Sequence, residues 1–245
     1  MAGHSHSANI AVRKGKADQV RAKLFSKLSR YIIIAARNGG GDPDTNLKLR
    51  YAIDKARSVS MPRDNIERAI KRGTGELGGD VMEELAYEGF GPGGVAIFVD
   101  TATDNRNRTN GEVRKFFEKG GGNMGGPGCV GYLFDRKWVI VIEANAVEED
   151  ALMNIVLEAG ADDMSRQGDV YEIICEPTGF SQVQESLAKA GLTAKSADIA
   201  MLPKVSVDVD VETGKKIVKL MEMLDDHDDV QNVYTNANLT EEMMA

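Results

Sequence analysis

Cysteine is nearly missing from this chain: 245 residues contain two, Cys129 and Cys175, and no C-x-x-C. That excludes a disulfide framework and offers no zinc-ligand spacing. Aromatic residues are scarce at 6%, with a single tryptophan, so a core has to be built from Leu, Ile, Val and Ala. At 42% apolar residues the chain has enough of them to bury one. No apolar run approaches the ~18 to 20 residues of a membrane helix. The longest, Tyr31 to Ala36, is far too short. The N-terminus has basic residues but no apolar stretch behind them, so it does not read as a secretory signal. These absences point to a soluble cytoplasmic protein with no membrane partner.

Chemistry-bearing patterns are equally thin. The histidines are His4, His6 and His227. His4-x-His6 lacks the further ligands a metal site requires, and the acidic LDDHDD around His227 reads as a solvated helix end. Neither cysteine has a base nearby in sequence. "GFGPGG" at 89–94 and "GGGNMG" at 120–125 match G-x-G-x-x-G, but neither has the strand–glycine–helix context of a dinucleotide site. Both read as tight turns, and no G-K-[ST] phosphate loop is present. The expectation is no enzyme, no cofactor, no metal and no small-molecule substrate.

Charge is what the chain does have, and it is unevenly spread. The net charge is −8, but residues 1–72 carry 16 Lys+Arg against 6 Asp+Glu while the remainder carries 14 against 32. A local +10 beside −18 suggests a basic module that meets a polyanion on one face, carried on an acidic body.

From Asp18 to Asn38 apolar residues recur at helical spacing, and Lys16, Lys23, Lys27, Arg30 and Arg37 cluster on a neighbouring face. "NGGGDPD" ends this helix, and a second runs through Leu49, Ile53 and Ala56. "SMPRDNIERAIKRG" reads as a third, with Pro62 in its first turn and Gly73 as its C-terminal stop. Asp64–Arg68 and Glu67–Lys71 are its i,i+4 pairs, which leaves Arg63 and Arg72 without a helical partner. It is the one candidate for a recognition helix.

Beyond "GTGELGGD" the pattern turns to mixed α and β. Strands are expected at 81–89, 94–101, 129–135, 137–143, 169–175 and 230–235, and helices at 109–119, 147–159, 180–190 and 212–225. Residues 137–202 read as β-α-β-β-α-β, the ferredoxin-like order, with Pro203 at the return crossing. The fold class is therefore α+β: an N-terminal three-helix domain followed by two α/β ferredoxin-like domains, the third inserted in the second. The expected boundaries are 1–75, then 80–135 with 205–238, and 136–204 as the insertion.

"TATDNRNRTNGEVRKFF" poses a specific electrostatic question. Thr109 and Glu112 fit a capping box, which puts Arg106 and Arg108 against the positive end of a helix dipole. An anion could offset that, held with Asn105 and Asn107 as neutral donors. It could be a phosphate of a partner or a carboxylate of the neighbouring acidic domain, and the residues alone support both.

"MAGHS", "GGGDP", "MPRDNIERAI", "YEGFGPGG", "DNRNRT", "GGNMG" and "DDVQNVYTN", in order and spaced nearly end to end, resemble the YebC/PmpR family, whose mitochondrial relative is the translational activator of cytochrome c oxidase. The resemblance implies three domains and a non-enzymatic regulator of gene expression. Members are described as DNA-binding transcriptional regulators; others act at the ribosome, on rRNA or tRNA, and help synthesis of proline-rich stretches. Because the chain starts at the family's first residues, no mitochondrial presequence is expected. Two departures stand out: His6 and Ser7 follow "GHS" where the family has Lys-Trp, and Val12 stands where it has a histidine. The lost tryptophan removes a candidate stacking platform. The expected nucleic-acid contacts are Arg13, Lys14 and Lys16 in the tail, Lys23, Lys27, Arg30 and Arg37 on the first helix, Arg63 and Arg72 on the third, and Asn105, Arg106, Asn107 and Arg108 in the loop.

Overall fold

The structure is a computed structural model that describes residues 17–78 and 81–244, with side chains from residue 22 onward. Three helices come first: α1 (Ala17–Gly39), α2 (Leu47–Ser58) and α3 (Arg63–Gly73). Their apolar stripes meet in one core that includes Leu28, Ile32, Leu49, Ile53 and Ile66. Asn46 joins the first two. Its Oδ1 accepts from Leu49 N at 3.1 Å as the cap of α2, while its Nδ2 donates to Ala35 O and Gly40 O, each at 2.8 Å. Buried at 6% exposure, it leaves no polar group of this junction wanting. Gly73 is not the left-handed stop expected of it. It is the last residue of α3, and a Cβ there would lie 2.4 Å from Ile33 O, so glycine is what lets α3 approach α1. The positive φ falls on Gly75, at 85°.

The sheet that follows is built from β1 (Glu83–Phe90) and β2 (Ala96–Thr103), then α4 (Arg106–Lys119) and β3 (Asn123–Met124). The chain next enters a second compact unit, residues 134–204, and the segments on either side of that unit fold together. The 134–204 unit runs β4 (Phe134–Glu143), α5 (Glu149–Glu158), β5 (Asp163–Gln167), β6 (Val170–Cys175), α6 (Phe180–Lys189) and β7 (Ser196–Pro203). Its sheet has the order β5-β6-β4-β7 and every pairing is antiparallel. Trp138 on β4 stacks on Phe180 of α6, ring centroids 3.9 Å apart, and both side chains are buried. This is the expected β-α-β-β-α-β order. One expectation fails: 129–135 and 137–143 are not two strands. A single strand starts at Phe134, preceded by a short 3₁₀ turn over Gly131–Leu133.

The reason lies in Glu88. Its carboxylate, 8% exposed, accepts from the backbone N–H of Gly128 at 2.7 Å, Val130 at 2.8 Å and Gly131 at 2.6 Å. Those amides are turned onto a side chain and so are withdrawn from any strand ladder.

After residue 204 come β8 (Val207–Asp208), α7 (Val211–Asp225), β9 (Val230–Thr235), β10 (Ala237–Asn238) and α8 (Glu241–Met244). The first unit's main sheet has the order β3-β1-β2-β9, and β8 with β10 forms a small parallel pair. Helices α4 and α7 bury Val113, Phe117, Leu220 and Leu224 with Ile97, Val99 and Val230 of the sheet. The fold class is α+β, a helical part followed by antiparallel sheets. No helix among the described residues is long and apolar enough to cross a membrane.

Candidate nucleic-acid interface

The start of α4 differs from its sequence reading by one turn. Asn105, not Thr109, is the cap: its Oδ1 accepts from Arg108 N at 3.1 Å. Arg106 and Arg108 are therefore the first and third residues of the helix rather than residues ahead of it. Thr109 lies inside the helix, fully buried, and its hydroxyl donates to Asp229 Oδ2 at 2.7 Å. Glu112 does not close a capping box; its Oε2 meets His227 Nε2 at 2.7 Å.

Asp229 organises the region. At 1% exposure it takes Arg108 Nη2 at 2.8 Å, Thr109 Oγ1 at 2.7 Å and Thr103 Oγ1 at 3.1 Å on one oxygen, and Arg30 Nη2 at 3.1 Å on the other. Burial by itself would raise its pKa. The hydrogen bonds from Arg108 and Thr109 and the charges of Arg30 and Arg108 outweigh that and hold the carboxyl below the usual range. The anion beside Arg108 is thus a carboxylate of the chain itself, but from the same compact unit as the arginine rather than from a neighbouring domain.

The basic face of α1 is spent in the same way. Lys23 bonds Asp226 at 3.0 Å, Lys27 bonds Asp225 at 2.8 Å, and Arg30 also reaches Asp228 O at 2.6 Å. Lys27 donates to Asp225 O at 2.6 Å and Lys23 to Asp226 O at 3.4 Å, so two cations also sit on carbonyls at the negative end of the α7 dipole. The LDDHDD stretch is therefore not a solvated helix end but the docking partner of α1. Arg37 donates to Met82 O.

On α3, the two arginines read as lacking partners have them. Arg63 Nε bonds Glu67 at 2.7 Å, and Arg72 Nη2 lies 3.9 Å from Asp104. The second contact brings the end of α3 to the start of α4, because Asp104 also holds Arg108 at 3.2 Å. Arg30, Arg72 and Arg108 thus converge on Asp104 and Asp229, while Arg63 lies at the far end of its helix. Arg106 and Asn107 remain exposed on the same turn, and their side chains have no hydrogen bond or ion pair among the described residues. Arg13, Lys14 and Lys16 lie outside the described residues.

Sequence reasoning missed Asp225, Asp226 and Asp229. They lie about two hundred positions from their partners on α1, and Asp229 is 121 from Arg108; only the complementarity of a basic helix face with an acidic run hinted at them.

Fold and site together define an α+β protein that presents guanidinium, amide and ammonium groups on a surface. Two family models match it: the TACO1/YebC protein N-terminal domain over residues 5–76, and the TACO1/YebC second and third domain over residues 82–237. The chain belongs to the TACO1/YebC family. A "probable transcriptional regulatory protein" of Maridesulfovibrio salexigens is 54% identical over 245 residues, covering all of this chain and 98% of its own. A relative of the same name from Natranaerobius thermophilus is 51% identical over 247 residues, 100% and 99% of the two chains. The crystal structure of a conserved hypothetical protein from Aquifex aeolicus matches with a TM-score of 0.87 at 47% identity, covering 97% of this chain and 98% of that one.

Proposed function

We propose that this chain is a non-enzymatic, nucleic-acid-binding regulator of gene expression, and that it acts on duplex DNA as a transcriptional regulator. The observation that carries the reading is the division of work at the start of α4. Arg72 and Arg108 are turned onto Asp104 and Asp229, which stiffens the turn, while Arg106 and Asn107 face solvent unpartnered. Of the first free amides of the helix, Asn105 takes up that of Arg108. A phosphate at this lip would meet a guanidinium, an amide side chain and the positive end of a dipole at once. Residues 1–75 act as the basic module, with Arg13, Lys14 and Lys16 adding contacts from the N-terminal segment. The relatives' shared name supports the transcriptional reading over a ribosomal one.

The test is binding of labelled duplex DNA over a salt series, for the unchanged protein and for Arg106→Ala/Asn107→Ala, with purified ribosomes as competitor. A log–log slope near −0.9 per phosphate contact, flattened by about one contact in the variant, is expected. Affinity that is independent of salt would sink the reading. Binding that ribosomes abolish and excess duplex does not would move the target to the ribosome.

A further inference from the structure

Helices α4 and α7 lie antiparallel, side by side. Gly120 at the end of α4 abuts Leu220, where an added Cβ would come within 2.6 Å of Leu220 Cδ1. Further back along α4, Phe116 meets His227 with ring centroids 5.9 Å apart, and Arg108 meets Asp229. Along α4 the contact positions fall from 120 to 108 as those on the other chain segment rise from 220 to 229. At about 100° per residue, Lys115 and Lys119 share the α4 flank that carries Glu112 and Phe116, the flank turned toward α7. On α7, Lys216 and Lys219 share the flank of Leu220 and Met223. Phe116 and Met223 pack against one apolar cluster, which sets both flanks on the same groove. Lys115 and Lys119 on α4 and Lys219 on α7 therefore line its two walls, with Lys216 one turn past the end of α4, on the part of the molecule that carries the acidic excess.

The acidic residues do not cancel them. Glu112 is held by His227. Glu212 is 2.8 Å from Lys216, in a pair whose side chains are 60% and 81% exposed, and such pairs exchange partners readily. Glu118 and Glu222 stand three residues from Lys115 and Lys219, about 60° around their helices, and neither forms an ion pair with them among the described residues. Lys115, Lys119 and Lys219 have no ion pair or hydrogen bond among the described residues. In contrast, Lys23, Lys27 and Arg30 on α1 are all engaged.

The chemistry selects the partner. Lysine ammonium groups on flexible stems suit phosphate contact without base reading. A membrane-surface helix would show large apolar side chains beside its cations; on these two helices the sole such exposed residue is Val211, at the far start of α7. Helix axes ~8–10 Å apart leave room between their side chains for one backbone rather than a duplex. Residues four apart rise ~6 Å, comparable with the repeat of an extended phosphodiester strand. We propose that the α4–α7 groove binds the sugar-phosphate backbone of single-stranded nucleic acid, as a second contact of the nucleic-acid-binding function inferred above, on which this proposal rests.

The experiment is fluorescence anisotropy with a labelled single strand and, separately, a labelled duplex of the same length. It compares the unchanged protein with Lys115→Gln/Lys119→Gln. The control is Arg114→Gln/Lys215→Gln, which removes the same charge from the outer flanks. All four positions are exposed, so thermal melts should coincide. The expected result on the single strand is a log–log salt slope shallower by about 1.4 in the groove variant, with a smaller change in the control. Equal effects of the two variants, or no effect of the groove variant while the unchanged protein binds, would overturn the groove and leave the regulatory reading standing. An unchanged protein that binds neither probe would overturn both.

Discussion

Replacing Asp229 by Asn removes the charge on which α1, β2 and α4 converge and leaves the shape almost unaltered. The carboxylate is 1% exposed and accepts from Arg30, Arg108, Thr103 and Thr109. Breaking one side of a buried ion pair costs about 3–5 kcal/mol, because the surviving charge is left uncompensated. Arg30 is 18% exposed at its side chain and suffers most of this, whereas Arg108 at 44% regains water. The low end, about 3 kcal/mol, is therefore expected, a fall in Tm of about 6–12 °C for a chain of this size. The pH dependence has a definite sign. The folded-state pKa of Asp229 lies below its unfolded value, so the stability it contributes is complete above the unfolded value of ~3.9 and is lost as the pH falls through the folded one. Thermal melts of protein and variant should differ most near neutrality and converge in acid below about pH 4. A gap under ~1 kcal/mol at neutral pH, or one that acid does not narrow, would refute the hub.

Other consequences are simpler to check. Glu88→Gln puts an amide N–H₂ toward three backbone donors, so the amides of Gly128, Val130 and Gly131 should exchange hydrogen faster, with about 2 kcal/mol lost; unchanged exchange there would show that the loop holds itself. Gly73→Ala should lower stability by about 1–3 kcal/mol through the clash with Ile33 O. Gly111→Ala, mid-helix in α4 with nothing within 4 Å, should raise it by up to ~1 kcal/mol. If the two glycines behave alike in thermal melts, the close approach of α3 to α1 is not what Gly73 provides. Arg108→Ala should lower Tm, whereas Arg106→Ala should leave Tm in place and weaken only duplex binding; the reverse order would misassign the two arginines.

What was readable in the residues was local. The three helices, their apolar stripes, the β-α-β-β-α-β order of 137–202 and the α+β class follow from periodicities of 3.6 and 2, which the chain expresses over a few residues at a time. The family, too, was legible from motifs in order. Local chemistry misled where two nearby solutions competed: Asn105 and Thr109 both make acceptable caps, and the buried Asp229 decides between them by claiming the threonine hydroxyl. Residues 129–133 look like a strand until Glu88, on another strand, takes their amides.

The sequence by itself determined the main helices and the longer strands, and that cations gather in residues 1–72. The tertiary structure alone decided which of those cations are free. An ion pair is a statement about two side chains in space, and the partners of Lys23, Lys27 and Arg30 come from the opposite end of the chain. Net charge counts residues; folding pairs them. The face of α1 that looked most basic is therefore satisfied from within, and the unpaired cations among the described residues include Arg68 and Lys71 on α3 as well as Lys115, Lys119 and Lys219 on helices of the acidic body.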